Sequence, residues 1–309
     1  MMTRRSIAWR SSLLGLVVLG LGTLSGCSSD VASTTAGKAR TGPPRVAATI
    51  EVNRWLASEI AGDAIEVFCP VDADADPLHW KPGRDAVSAL QDADLVILNG
   101  VGLETWRDKV SLSTSKTVTL GDAYKDRWLF FEEEVVHQHG PDGDHTHTGS
   151  DPHVWFDFLI VTKHGEQILS ALESRWPEHK ASFQENWQGL KARIDEIEAA
   201  WKAIDGSKMP ELLANHPAYD YGARRYGLKI ENHDLDPESV PDEKTLAEVT
   251  RSGRKILLWE SAPTEEVRAA YAARGLQSVV IAAGEQPPES GDWGSLMLEN
   301  ARRVAELAQ

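Results

Sequence analysis

The chain reads as an α/β protein of two lobes, each with a mostly parallel sheet flanked by helices, joined by one long backbone helix. Three observations predict this. Short runs rich in β-branched and aliphatic residues alternate with helical patterns in the first half of the 309 residues. The same alternation returns in the second half. Between them lies one strongly periodic helix.

Residues 1–27 stand apart from that body. Arg4, Arg5 and Arg10 form a basic front, and the uncharged run from Ser11 to Gly26 carries "LLGLVVLGLG". This apolar core is too short for a comfortable membrane span and reads as a signal peptide. It ends in "LSGC", which resembles a lipobox, so Cys27 is the expected lipidation site and new N-terminus. Such an anchor tethers a soluble domain to a membrane surface and places it outside the cytoplasm. Residues 28–44, "SSDVASTTAGKARTGPP", are small, polar and proline-terminated, as expected of a flexible tether.

Residues 45–176 make up the expected N-terminal lobe. "RVAATI" precedes the helical "EVNRWLASEIAG", "AIEVFC" follows, "RDAVSALQDA" leads into "DLVILNG", and "KTVTLG" comes later. Residues 177–205 form the linking helix. From Pro177, an apolar stripe of Phe183, Trp187, Leu190, Ile194, Ile197, Trp201 and Ile204 alternates spacings of four and three. That pattern predicts a helix of about 27 residues, about 40 Å long. Pro177 suits its first turn, and "DGSKMP" ends it. Residues 206–309 form the C-terminal lobe, with "ELLAN", "KILLWES" and "QSVVIAAG" as strands and "WGSLMLENARRVAEL" as the closing helix.

Composition narrows the function classes. The net charge of −15 becomes −18 once residues 1–26, with three arginines and no acids, are removed. An acidic surface argues against nucleic acid as a partner and is compatible with a cationic ligand. With Cys27 assigned to lipid, only Cys69 remains, so no internal disulfide can form. Flanked by apolar residues, Cys69 reads as buried and inert.

Ligands of α/β proteins bind at the carboxyl ends of strands, and three histidines fall there. His79 in "DPLHWKP" follows the strand "AIEVFC", His153 in "SDPHVWFD" precedes a helix starting near Asp157, and His216 in "LLANHPAYDY" follows a second-lobe strand. Neutral imidazole is a preferred ligand for zinc and similar divalent metals, and a carboxylate or water can complete such a site. Each histidine also has a plainer reading, as a packed residue beside Trp80 or as a helix-entry hydrogen-bonding group. His164 and His179 read as solvated helix residues. Trp80, Trp155 and Trp259 read as core or cleft wall.

A further tract, "HQHGPDGDHTHTGS", holds His137, His139, His145 and His147 among Gly, Pro and Asp. Without apolar periodicity, residues 137–149 read as an exposed, mobile loop with accessory metal affinity. Its roles as collector, sensor or chaperone contact stand beside that of a tolerated insertion.

Taken in order, "ADPLHWKPGRDAVSALQDADLVILNGVGLETW", the His-rich tract, "DPHVWFD", the long helix, "NHPAYDYGARRYGL", "LLWESAP" and "GDWGSLMLENARRVAEL" resemble the zinc/manganese solute-binding proteins of ABC transporters, the ZnuA/TroA-like group. The resemblance runs from about Arg45 to the C-terminus. It implies a metal held in a cleft between two lobes by His153 and His216, and delivery to an ABC transporter membrane permease. It also implies a first ligand from a "DPH" block, but here the block is "DPLHW", and His79 lies two residues later than that pattern would place it. Relatives often supply an aspartate just after the strand that reads "VVIAAG"; Ala282 and Ala283 stand there instead. Glu285, Glu260, a water or a loop histidine are candidates for the fourth position, with His233 of "ENHDLDPE" a more distant one.

The expectation is therefore a monomeric, lipid-anchored, extracytoplasmic protein that binds Zn2+ rather than catalyses, with a periplasmic zinc chaperone as a further partner. A three-histidine set favours zinc over Mn2+, whose sites lean on carboxylate oxygen. Two other classes stay open. One is a zinc hydrolase with a three-histidine site and bound water, although no HExxH is present. The other is a surface adhesin or zinc-storage lipoprotein.

Overall fold

Two four-stranded sheets, all parallel, form the framework of the computed structural model. It describes residues 42–73, 75–131 and 149–308, together with the backbone of 135–138 and 144–147. The leader, Cys27, most of the tether and His139 lie outside the described residues. From Pro43 onward the chain forms one compact unit.

The first sheet is built from β1 (Arg45–Ala48), β2 (Glu66–Phe68), β3 (Leu95–Leu98) and β4 (Thr117–Thr119), in the order β2-β1-β3-β4. The second uses β7 (Leu212–Ala214), β8 (Ile230–Asn232), β9 (Ile256–Trp259) and β10 (Gln277–Val280), in the order β10-β9-β7-β8. Read from the opposite edge, the second order repeats the first, so both halves share one topology. In each, the chain leaves the first strand in one direction and later returns to its other side. That reversal opens a crevice at the carboxyl ends, where ligands of such sheets bind. Thr49 and Asn99 stand at the first crevice, and Asn215, His216 and Glu260 at the second.

Parallel strands buried on both faces lack polar alternation, and the central β3, β7 and β9 obey that rule. Val46, Ala48, Leu95 and Ile97 face the main core, while Ala47, Val96 and Leu98 face a smaller outer cluster. The second sheet divides likewise, with Leu212, Ala214 and Leu258 inward and Leu213, Leu257 and Trp259 outward. The main core is continuous from Val46 to Val304, so both halves share it.

Four helices fill the layer between the sheets: α1 (Glu51–Ala61), α3 (Phe158–Arg175), α4 (Lys180–Lys202) and α8 (Trp293–Glu306). The linking helix differs from the expected 27 residues. Pro177–His179 form a 3₁₀ turn, and α4 proper has 23 residues. Its stripe is buried as the spacing requires, from Phe183 to Trp201, against α1 and α3 on one side and α8 on the other. The remaining helices, α2 (Arg84–Asp92), α5 (Asp220–Tyr226), α6 (Glu243–Thr250) and α7 (Glu265–Ala272), follow strands in chain order.

The His-rich tract departs from the expected structureless loop. β5 (Val135–Gln138) and β6 (Asp144–His147) pair antiparallel, with His137 opposite His145 and Val135 opposite His147. Backbone pairing needs no apolar alternation, which explains why the pattern gave no strand signal. No helix among the described residues is long and apolar enough to cross a membrane.

Candidate metal site

His153 is placed by the turn that enters α3. Asp151 and Pro152 force an extended approach, and Asp157 caps the helix by accepting from Leu159 N. His153 is only 2% exposed. Asp151 Oδ1 accepts from both His153 N and Nδ1, the latter at 2.8 Å, which leaves Nε2 for a partner on the opposite side of the ring. A carboxylate behind the far ring nitrogen is the usual orienting partner of a ligating histidine.

On the other side stands His216, after β7 and only 5% exposed. The two imidazoles meet edge to face, centroids 5.2 Å apart and planes 79° apart. Asn215, fully buried, ties this turn to β9 by accepting from Glu260 N at 3.0 Å and donating to Leu235 O at 3.2 Å. His216 and Glu260 are thereby held side by side across the crevice.

The third group is Glu285, whose Oε1 lies 3.2 Å from His153 Nε2. Its loop is fixed at every carbonyl. Ile281 O accepts from Tyr219 Oη at 2.7 Å, Ala282 O from Asn300 Nδ2 at 2.9 Å, and Ala283 O from Trp155 Nε1 at 2.7 Å. Gly284 O accepts from Trp293 Nε1 at 3.0 Å, and Glu285 O from Glu51 N at 3.3 Å. Five consecutive carbonyls, held from both halves, aim the Glu285 side chain. Ala282 and Ala283 supply backbone here, not ligands.

Charge follows from the geometry. Burial works against a charged His153, yet the carboxylates of Asp151 and Glu285 outweigh it and hold the imidazole pKa well above its ordinary value. Although part of Glu260 is accessible, burial of its carboxyl and the nearby Glu285 charge push it up to about 8. Without metal, a proton on His153 satisfies the carboxylates that would otherwise repel one another. Two donors bound to one tetrahedral zinc at ordinary bond lengths stand about 3.3 Å apart. The 3.2 Å between His153 Nε2 and Glu285 Oε1 suits that replacement of a proton by a cation.

His79 is placed less tightly. It is half-buried on the loop after β2, with Nε2 3.7 Å from Asp76 Oδ2. Gln286 Nε2 donates to Ala75 O at 2.6 Å, bringing that loop against the Glu285 segment. Among the described residues, no three His, Cys, Asp or Glu side chains already converge as a coordination shell. His233 pairs with Glu231 at 3.1 Å beyond β8, on a different part of the second sheet.

His164 is 1% exposed and not solvated: it lies on the inward stripe of α3 with Val161, Ile168 and Leu172, a spacing of three and four that already marked it. His179 is half-exposed, beside Phe183. Cys69 is half-buried, and desolvation raises its thiol pKa to about 11, so it is unreactive at neutral pH. Trp80, Trp155 and Trp259 are all buried, at 5%, 0% and 0% exposure. Sequence reasoning missed Asp151 as the partner of His153, for which the carboxylate-x-histidine spacing was the available signal.

A family model described as "ZnuA: Zinc-uptake complex component A periplasmic" matches residues 46–307. The chain belongs to this family. Among relatives of the ZnuA family, zinc-binding lipoprotein AdcA of Streptococcus pneumoniae strain R6 is 30% identical over 207 residues, covering 65% of this chain and 41% of AdcA. The chain thus spans less than half the length of that relative. The structure of the Zn(II)-bound ZnuA-like domain of Streptococcus pneumoniae AdcA superposes with a TM-score of 0.72 at 22% identity, covering 86% of this chain and 99% of that domain. TroA of Treponema pallidum, a periplasmic zinc-binding protein, superposes with a TM-score of 0.68 at 20% identity, covering 86% and 99%. At these identities the superpositions establish the ZnuA-type two-lobed fold.

Proposed function

We propose that the chain is an extracytoplasmic solute-binding lipoprotein that captures Zn2+ between its two halves and hands it to an ABC permease. One observation carries this reading: His153 from the first half meets His216 and Glu285 from the second, with a 3.2 Å gap between imidazole nitrogen and carboxylate oxygen. Donors from both halves make binding and interlobe closure one event. Zinc is cargo, and no bond of a substrate is made or broken.

In this reading His153, His216 and Glu285 form the centre of the site, and His79 joins from the facing loop. Asp151 orients His153, while Glu260 adds negative charge beside the cation. The rigid α4 shared by both halves limits closure to small tilts and loop shifts. Lipidation at Cys27 anchors the protein to a membrane, and the permease and a zinc chaperone are its partners there. Imidazole-rich ligation favours Zn2+ over Mn2+.

Titration calorimetry of the purified protein tests this. Tight zinc binding with weaker Mn2+ binding is expected, and His153→Ala or His216→Ala abolishes the tight event. Retention of wild-type zinc affinity by both variants defeats the assignment. A deletion strain that grows normally under zinc chelation would instead favour a storage or adhesive role.

A further inference from the structure

Behind the turn that presents His153, the first half buries a line of polar side chains that metal capture leaves unused. Asn53 of α1, Asn99 after β3, Tyr124 and His164 of α3 are each at most 1% exposed. The Tyr124 hydroxyl donates to His164 Nε2. His164 Nδ1 donates to Asn53 Oδ1 at 2.9 Å, and Asn53 Nδ2 to Asn99 Oδ1 at 3.4 Å. Asn99 Nδ2 then donates to the carbonyl of Pro152 at 3.2 Å, immediately before His153.

One assignment of hydrogens satisfies every contact: each link donates along the line toward Pro152, and the second Asn99 Nδ2 hydrogen goes to Gly100 O at 3.2 Å. It requires a neutral His164, and burial supplies this by lowering the imidazole pKa to about 3. The line is therefore polarised in one direction at any working pH.

A second grip acts on the same segment. Gly100, Val101 and Gly102 have φ of 76°, 56° and 86°, and a β-branched residue in that region is strained. The Glu104 carboxylate holds the turn by accepting from Asn99 N at 2.8 Å, Gly100 N at 3.0 Å and Thr49 Oγ1 at 2.6 Å. The turn's Val101 carbonyl accepts from Ser150 Oγ at 2.9 Å. Stability alone would favour apolar side chains in this space, because buried polar groups and strained backbone both cost free energy. Both features converge on residues 150–152.

We propose that Asn99, backed by Asn53, His164 and Tyr124, is a positioning residue for zinc capture: it fixes the Pro152 carbonyl and so the rotation of the turn that aims His153 Nε2. The inference rests on the reading of His153 as a zinc ligand. The line touches no cargo and acts only through the backbone next to the ligand.

The test uses purified wild-type protein and the variants Asn99→Ala, Tyr124→Phe and His153→Ala. Zinc affinity is measured by chelator competition, zinc release by stopped flow, and ligand geometry by the visible absorption of the Co2+-loaded protein. Asn99→Ala is expected to weaken zinc roughly ten- to a hundredfold, mainly through faster release, with altered Co2+ bands. Tyr124→Phe, which removes one oxygen at the far end, is expected to shift both readouts the same way by less. Wild-type release and Co2+ spectra in both variants overturn the proposal, as does lost thermal stability with unchanged Co2+ spectra. Should Asn99→Ala fail to fold, Tyr124→Phe decides alone. Wild-type affinity in His153→Ala would sink the underlying site assignment instead, and is read separately.

Discussion

The imidazole of His153 and the carboxylate of Glu285 meet at 3.2 Å from opposite halves of the chain, with Asp151 closing the far side of the ring at 2.8 Å. A positively charged imidazole between two carboxylates is stable when no cation is present. In the proposed function the same three groups would serve as two ligands and an orienting partner once a cation displaces the proton.

Replacing Glu285 with glutamine keeps its size and removes its charge. Zinc affinity is expected to fall by at least the roughly tenfold that loss of an orienting partner costs. The His153 pKa should fall as well, because one of the two carboxylates holding it up is gone. Calorimetry and an NMR pH titration of His153 check both, and an unchanged affinity would remove Glu285 from the site.

The metal-free protein should lose stability as pH rises. His153 and Glu260 both have folded pKa values raised above their ordinary ones, the latter to about 8. Groups of this kind bind protons more tightly when folded. Their contribution is fully present below the unfolded values and is lost as pH climbs through the folded ones. Buried neutral His164, with its pKa lowered to about 3, offsets Glu260 below about pH 6.5, so thermal melts in chelator should show Tm falling from about pH 6.5 to about pH 9. Zinc affinity should move oppositely and strengthen across that range, since cargo and protons compete. A metal-free Tm that rises from pH 6 to 9 contradicts this arrangement.

Gly165 of α3 allows α4 to approach closely. A Cβ there would lie 2.2 Å from Trp187 Cζ3 and 2.5 Å from Cη2. Gly165→Ala is expected to cost about 1–3 kcal/mol in urea denaturation, the usual range for overpacking.

Deleting residues 135–147 removes the His-rich hairpin. Since β5 and β6 pair only with each other among the described residues, the central sheets keep their registers. The tight calorimetric event should survive and any weaker zinc events should disappear. Loss of the tight event would place a hairpin histidine among the ligands.

Much of the fold was legible because apolar spacing is a direct record of burial. Every stripe residue of α4 from Phe183 to Trp201 is buried, and the continuous aliphatic runs of β3, β7 and β9 are the two-faced strands of parallel sheets. His153 and His216 were visible because Pro next to each marks a fixed turn beside a strand or helix. His164 runs against its residue type: histidine suggests solvent, while its place on the inward stripe of α3 buries it. The choice among Glu260, Glu285 and His233 was not legible. It depends on where the backbone of residues 281–285 runs, and that is set by Tyr219, Trp155, Asn300, Trp293 and Glu51, all distant in sequence.

Those five held carbonyls have a genetic consequence. The side chains of Ala282 and Ala283 take no part in that ladder of acceptors, so substitutions there that fit the space should be accepted. A one-residue insertion or deletion between Ile281 and Glu285 is another matter. It would slide every carbonyl past its donor and move the glutamate by a full residue. For this segment spacing is the inherited trait; burial holds Ile281, backbone angle holds Gly284 and charge holds Glu285, so drift in composition falls to the alanines.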